Sequence, residues 1–414
     1  MLAACHNQAA GEQTRHRPGL ELADIFRQYG EAYRRSHALP LSHLKVMHSI
    51  EVCRTAWLGG HILQCDSCGY QRQAYNSCRN RHCPKCQSMA KAKWLEERKA
   101  ELLPVGYFHL VFTLPHELNP VALTNKRVVC NILFKAVSET LLGFGHRHLG
   151  GKPGFIAVLH TWDQTLLDHF HLHCLIAAGA LSMDGGCWIA ARKNFLFAVR
   201  ALSVVFRAKF LDFFKQAVEE NKLKFVGRTS DLAKKNCFRQ WLQTVRKKRW
   251  VVYAKKPFSS AERVLDYLGR YTHRVAISNN RIIKISEGCV SFSYRDRRSG
   301  DRVETMRLEV EEFIRRFLLH VLPEGMQRIR HYGFLANRTK KESLARCREY
   351  LGMGAVSQTE KKTAQAIMRE ESGNDLARCP NCKVGTMTVI AELANPSAVA
   401  KTEALMAPAG MDSS

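Results

Sequence analysis

Apolar positions recur at near-helical spacing over residues 20–36, where Leu22, Ile25, Tyr29 and Tyr33 share one face, and a second helix is predicted over about 42–58. Between 61 and 86 the pattern collapses. Cys, His, Asn and Arg crowd that stretch with little apolar periodicity, as expected where a metal substitutes for a core. A helix rich in Lys, Glu and Arg follows near 88–102. Then GYFHLVFTLP, residues 106–115, forms a β-branched and aromatic run that ends at proline, the pattern of a buried strand opening a new domain. That domain is predicted to hold a helix over about 120–142 and strands over 155–162 and 169–177. The second strand closes on the turn-like AGALSMDGG, and an amphipathic helix covers 194–223. RKKRWVVYAKKPF, residues 246–258, joins a basic run to a short strand. A helix over 261–271 precedes VAISNNRIIKI, read as an Asn-Asn turn between two strands, and a further strand lies near 289–294. From about 338 the chain is basic and helical, and the Ala- and Ser-rich segment 391–414 is expected to be disordered.

Strands and helices mix here without an alternating βαβ rhythm, which makes the fold class α+β with a small metal-organised module near the N-terminus. A chain of 414 residues exceeds the size at which one core divides. The expected organisation is a loose tail over 1–19, a helical segment with a zinc-binding module over 20–102, a catalytic domain over 103–337, a basic region with a C-x-x-C pair over 338–390, and a second tail over 391–414. Lys and Arg number 63 against 37 Asp and Glu, a net charge of +26. Such a surplus suggests a polyanionic partner. No apolar run in the sequence approaches the roughly 18–20 residues of a spanning helix. The first twenty residues also lack the apolar stretch of a secretory signal, so nucleic acid in the cytoplasm leads over a membrane partner.

Fifteen cysteines, several in C-x-x-C pairs, suggest thiolate ligands more than disulfides. Cys65-x-x-Cys68 and Cys83-x-x-Cys86 stand fourteen residues apart, and each pair supplies two corners of a tetrahedron. The expectation is one structural zinc on Cys65, Cys68, Cys83 and Cys86. Cys53, His61, Cys78 and His82 are left to complete a second site or to exchange with one of the four. Arg72, Arg79, Arg81, Lys85, Lys91 and Lys93 surround the module and favour phosphate contact. Cys379-Pro-Asn-Cys382 is half of such a site with no second pair near it, and Cys347 or a histidine is the candidate it would borrow.

LLDHFHLHCLI sets His169, His171 and His173 at alternate positions, so on a strand the three imidazoles project from one face. Two neutral imidazole nitrogens form two vertices of a metal site that a carboxylate, amide or third histidine completes. Downstream, SSAERVLDYLGRYTHRVAIS carries a capping box at Ser259 and Glu262 and places Tyr267 and Tyr271 at i and i+4, on one helix face. A phenol with a pKa of about 10 is a poor nucleophile near neutral pH. It needs a polarised phosphate and a positive field, which Arg270, His273 and Arg274 could supply.

These segments resemble the rolling-circle transposases of the two-tyrosine HUH endonuclease class, the insertion-sequence family numbered ninety-one. The resemblance runs from about residue 20 to 338. It rests on CRTAWLGGHILQCDSCG and NSCRNRHCPKCQ for the zinc-binding domain, HLVFTLP at 109–115, His171-Leu172-His173, Tyr267-Leu-Gly-Arg-Tyr271 with THRVAISNNRI, and HYGFLANR at 331–338. It implies an HUH-type antiparallel sheet with packed helices, the histidines on a central strand and the tyrosine helix against its face. It further implies that His171 and His173 bind Mg²⁺ or Mn²⁺ and that Tyr267 or Tyr271 attacks single-stranded DNA at transposon ends and target. A 5′-phosphotyrosine and a free 3′-hydroxyl result. For the third ligand Asp163, Gln164, Asp168, His160 and His169 are candidates, with His169 and Gln164 ranked first. Arg246, Lys247, Lys248 and Arg249, with the run at 338–348, are candidates for a groove that follows the strand. A replication initiator or relaxase would use identical chemistry, and a zinc-dependent DNA-binding protein would use none of it. The oligomeric state is not legible.

Overall fold

The computed structural model describes residues 19–258, 263–264, 269, 273, 275–296, 300–354, 366, 375 and 377–396. Tyr267, Arg270, Tyr271 and Arg274 lie outside the described residues, as do Ser259 and Glu262.

The chain opens with helices α1 (Leu22–Ser36) and α2 (Leu41–Glu51), passes through strands β1 (Gly60–Cys65) and β2 (Gln71–Tyr75), and enters α3 (Pro84–Lys99) straight from Cys83. α1 begins with a reciprocal cap in which the Glu21 N–H donates to Asp24 Oδ2 at 2.9 Å, and it buries Leu22, Ile25, Phe26 and Tyr33. Pro84 starts α3 because its fixed φ suits a first helical turn that has no use for its missing N–H. Next come β3 (Tyr107–Thr113), α4 (Asn119–Thr124), α5 (Lys126–Phe144), β4 (Gly151–Trp162), β5 (Asp168–Ser182), β6 (Trp188–Ala190), α6 (Val199–Glu219), α7 (Lys235–Lys247) and β7 (Val251–Phe258). The final part holds β8 (Ile282–Ser286), β9 (Cys289–Asp296), β10 (Arg302–Glu309), α8 (Val310–Leu319), β11 (Ile329–Tyr332), α9 (Lys340–Tyr350) and β12 (Met387–Leu393).

The central sheet has the order β11-β4-β5-β3-β7, every neighbouring pair antiparallel, with β6 added to β5. Alternation gives it two different faces. Phe108, Leu110, Phe112, Phe155, Ala157, Leu159, Phe170 and Leu172 point to one side, where α5 and α6 close the main core with Leu133, Phe134, Val137, Phe206, Phe210 and Phe214. Each such Phe or Leu stabilises the fold by about 1.5–3 kcal/mol relative to exposure. The other side carries Tyr107, Ile156, Val158, Leu175 and Ala177, covered by Leu95 of α3, Val264, Phe334 and Leu344, and beside them a group of histidines. A second core joins α1, α2 and α8 to β8 and β9 and reaches Cys53, Cys83 and Cys86. Gly333, in HYGFLANR, is required by close approach: its φ is +67° and a Cβ there would lie 1.6 Å from the Pro153 carbonyl oxygen.

The α+β expectation agrees with these antiparallel sheets and packed helices. Several local readings change. The predicted helix over 120–142 is two helices, because Asn125 leaves helical geometry and its amide bonds the Val121 and Lys224 carbonyls, at 3.0 and 2.8 Å. Residues 275–278 form no strand: Val275, Ala276 and Ile277 are buried, and Arg281 donates to the carbonyls of Ser293, Ala276 and Gln164. α7 was not predicted, although Phe238, Trp241, Leu242 and Val245 stand at helical spacing along it. Residues 391–393, expected in a disordered tail, belong to β12, which pairs with β1. Lys126–Leu149 is long and apolar enough to cross a membrane by length and composition alone. It is the central core helix, with Val129, Leu133, Phe134 and Val137 fully buried.

Candidate metal centres and nucleic-acid interface

β5 lies between β4 and β3, and the register sets His160 directly across from His171 and His173 across from Val111. Alternation then brings His160, His171 and His173 onto the face opposite α5 and α6, and one ring nitrogen of each lies within 4.8 Å of the others. His171 Nδ1 is 2.7 Å from the His169 carbonyl, which can only accept, so Nδ1 carries the proton and a neutral ring presents the lone pair of Nε2. That Nε2 is 3.1 Å from His173 Nε2. Two nitrogens each about 2.1 Å from a shared cation take up this separation. His109 Nε2 meets His173 Nδ1 at 2.9 Å and the rings stack. This is the contact that fixes a ligand's tautomer. Burial, and then the Lys255 charge, pushes His109 down to about 3, so it remains neutral. His160 stacks on Trp162 with centroids 4.8 Å apart. The donor set therefore fits a divalent cation.

The ranking of third ligands changes accordingly. His160 joins His171 and His173 in one group because a neighbouring strand brings it opposite His171, while His169 sits a step further along its own strand, its ring 4.7 Å from that of His171 and 5.8 Å from that of His116. The Gln164 backbone carbonyl, not its side-chain amide, accepts from Arg281. Asp163 Oδ1 is used in its own turn, accepting from Thr165 and Leu167 N–H at 2.8 and 2.9 Å. Asp168 alternates with Phe170 and Leu172 and so leans to the opposite face, and burial raises its carboxyl. His109 was missed as a site residue. Its signal was a single imidazole at an alternate position of a mainly apolar strand, YFHLVFT.

The cysteines divide differently from expectation. Cys53, Cys78, Cys83 and Cys86 form one group, and Cys65, Cys68, Cys379 and Cys382 another. In the first, Cys53 to Cys86, Cys78 to Cys86 and Cys83 to Cys53 are 3.6, 3.5 and 3.7 Å apart at sulfur. In the second, Cys65 to Cys382 and Cys68 to Cys379 are both 3.7 Å. Thiolates held tetrahedrally about 2.3 Å from Zn²⁺ stand about 3.8 Å apart, so both groups fit that ion. The single site on Cys65, Cys68, Cys83 and Cys86 is corrected: β1 and β2 carry the first pair away from the second, and Cys53, at the end of α2, and Cys78 take the vacated corners. Among the described residues, Cys379 and Cys382 group with neither Cys347, which is buried beside Leu344, nor a histidine. His82 is not in either group; burial and the nearby Arg81 charge push it down to about 3. Cys382 is pushed down to about 6 by the Gly385 and Val384 N–H groups.

Part of the expected phosphate-binding charge is committed internally. Arg81 donates to the Met326, Leu322 and Pro323 carbonyls, and Lys85 pairs with Glu21 at 2.6 Å. Arg246, Lys247, Lys248 and Arg249 are exposed, with Lys248 paired to Glu117 at 2.7 Å, and Arg246 and Lys247 line a concavity with Arg207 and Gln243. Edge strand β7 puts exposed Tyr253 opposite Val111 and Lys255 opposite His109, on the histidine face. On that face also lies Val264, fully buried with Leu95, Tyr107 and Leu175. A Cβ on Gly269 would meet Lys91 and Leu95 of α3, and His273 packs on Trp94 with centroids 5.7 Å apart. The described neighbours of Tyr267 and Tyr271 thus contact α3, the helix capped by Cys83 and carrying Cys86 in its first turn.

Two family models match the chain: "Putative transposase" over residues 154–343 and "Transposase zinc-binding domain" over residues 25–114. The class so defined is that of DNA transposases, enzymes that cut DNA and transfer its strands, with a zinc-binding domain that contains the first cysteine group whole. Over 380 residues the chain is 51% identical to "Putative transposase y4qJ" of Sinorhizobium fredii (strain NBRC 101917 / NGR234), covering 90% of this chain and 96% of the relative. Over 336 residues it is 27% identical to "Transposase for insertion sequence element IS801" of Pseudomonas savastanoi pv. phaseolicola, covering 80% and 79%. The chain belongs to the IS91 family of insertion-sequence transposases. No solved structure matches it.

Proposed function

We propose that this transposase breaks single-stranded DNA by the HUH mechanism, with Tyr267 or Tyr271 as nucleophile, in rolling-circle transposition. The phenolic oxygen bonds to phosphorus as the P–O3′ bond breaks, leaving a 5′-phosphotyrosine and a free 3′-hydroxyl. That linkage conserves the phosphodiester, so a later 3′-hydroxyl can displace the tyrosine and rejoin a strand. A second tyrosine lets a second transfer proceed while the first end is still held. The observation that carries this reading is the convergence of His160, His171 and His173 on the sheet face where Val264, near the tyrosines in sequence, is also packed.

A divalent cation held by the three imidazoles would polarise a phosphate oxygen and make the phenol's proton easier to lose. His109 orients His173, and the His169 carbonyl orients His171. Arg270 and Arg274, within three residues of Tyr271 in sequence, would supply positive charge to the nucleophile, while Arg246, Lys247, Lys248 and Arg249 track the strand's backbone. Because the described ligand group is all imidazole, Mn²⁺ is expected to support cleavage at lower concentration than Mg²⁺, which prefers oxygen donors. Cytoplasmic DNA is the corresponding partner.

The test is incubation with single-stranded oligonucleotides from the element's ends and either cation, followed by mass spectrometry of the adduct. A covalent DNA adduct on Tyr267 or Tyr271, lost in the Tyr267→Phe, Tyr271→Phe double variant, is expected. Cleavage with no tyrosine adduct, at a rate indifferent to His171→Ala with His173→Ala, would overturn the mechanism.

A further inference from the structure

We propose that Cys65, Cys68, Cys379 and Cys382 form a second zinc site, and that this site makes the distant strand β12 part of the N-terminal zinc-binding module. The zinc-binding match ends at residue 114 and the transposase match at 343, so neither reaches Cys379 or Cys382.

The two halves of the site are built alike. Each is a C-x-x-C turn followed by a residue in the left-handed region, Gly69 at φ +71° and Lys383 at φ +59°. In each, that residue's N–H donates to the carbonyl of the first cysteine, Gly69 to Cys65 at 3.2 Å and Lys383 to Cys379 at 3.0 Å. In each, a backbone N–H points at a sulfur, Ser67 at Cys65 and Gly385 at Cys382, both at 3.4 Å. Two such turns facing one another, with sulfurs 3.7 Å apart across the junction, present four donors to one tetrahedral centre. Gly385 is fitted to its place, since a Cβ there would lie 2.5 Å from Cys65 Sγ.

Among the described residues, little apolar surface is buried at this junction. The local core is Cys65, Cys379 and Met387, with Leu63 and Cys382 partly buried against it, and five successive residues of β12, Thr388–Glu392, are exposed. The hydrogen bonds are present nonetheless: Thr386 N–H donates to Asp66 Oδ1 at 2.8 Å, Asp66 N–H donates to the Thr386 carbonyl at 3.1 Å, and β12 pairs with β1 along its length. Small domains with so little apolar interior are commonly held by a metal. The ion would tie Cys68 to Cys379, 311 positions apart, so the central sheet becomes an insertion within a zinc ribbon whose two turns come from opposite parts of the chain. A cross-link over so long a loop removes much of the unfolded chain's freedom.

The full-length protein tests this directly. Native mass spectrometry and metal analysis are expected to give two zinc ions per chain, and substitution by Co²⁺ the visible spectrum of two tetrathiolate centres. Cys379→Ser with Cys382→Ser is expected to lose one ion, and the amides of β12 their protection from hydrogen exchange, while those of β4 and β5 keep theirs. Cys65→Ser with Cys68→Ser should do the same. One zinc per parent chain, or two zincs and a protected β12 in the Cys379→Ser, Cys382→Ser variant, would overturn the proposal. The parent stoichiometry and the cobalt spectrum decide the matter even if a variant fails to fold.

Discussion

The two faces of the central sheet are made by the same strands and held by the same ladders, yet they do opposite work. On one, Phe155, Leu159, Phe170 and Leu172 meet α5 and α6, and the imidazole at its edge, His320, is satisfied in an ordinary way. Its Nδ1 lies 3.2 Å from Thr161 Oγ1 and its Nε2 donates to the Leu166 carbonyl at 3.0 Å. On the other, His160, His171 and His173 turn ring nitrogens toward one another, and His109 backs them. His320 spends both ring nitrogens on oxygen atoms, whereas His171 gives Nδ1 to the His169 carbonyl and turns Nε2 toward His173. Alternation along β4 and β5 lets one stretch of chain serve both purposes, because neighbouring residues never share a face.

The largest expected effect breaks the histidine face alone. His171→Ala with His173→Ala should slow oligonucleotide cleavage by about 10³-fold or more, the scale of lost transition-state charge stabilisation. The thermal midpoint of the zinc-loaded protein without added Mg²⁺ or Mn²⁺ should scarcely move, and a large fall in it would make the cluster structural. The converse variant, Phe155→Ala, removes a fully buried ring that stacks on Tyr332 at 5.0 Å. It should cost about 3–5 kcal/mol in denaturant titrations while the folded fraction keeps its cleavage rate. A fall in rate at full folding would show that the faces are coupled. Smaller again, His109→Phe should weaken cation binding by about 10–100-fold in calorimetry, as loss of a ligand's orienting partner does.

The smallest effect lies at His320. Burial depresses its pKa to about 4, below the ordinary value of 6.5, so the unfolded chain binds the extra proton more readily. Its contribution is complete above about pH 6.5 and is lost as the pH falls toward 4. His320→Asn should therefore flatten the loss of stability between pH 7 and 5 by about 2 kcal/mol, read from urea midpoints. An unchanged slope would assign the acid sensitivity to half-buried histidines such as His43 or His331, which partial burial also lowers to about 4.

The chain alone determined whatever depends on neighbours in sequence. The apolar runs of β3, β4 and β5, the shared face of His169, His171 and His173, the crowding of cysteines near 61–86 and the basic charge are all local patterns, and local sterics enforce them. Tertiary structure decided which of those residues meet. His160 reached His171 through strand register, His109 reached His173 across β3, and Cys65 and Cys68 faced Cys379 and Cys382 rather than Cys83 and Cys86. The reason is physical: a ligand set closes in three dimensions, and pairing between strands far apart in the chain depends on packing that short-range spacing does not contain.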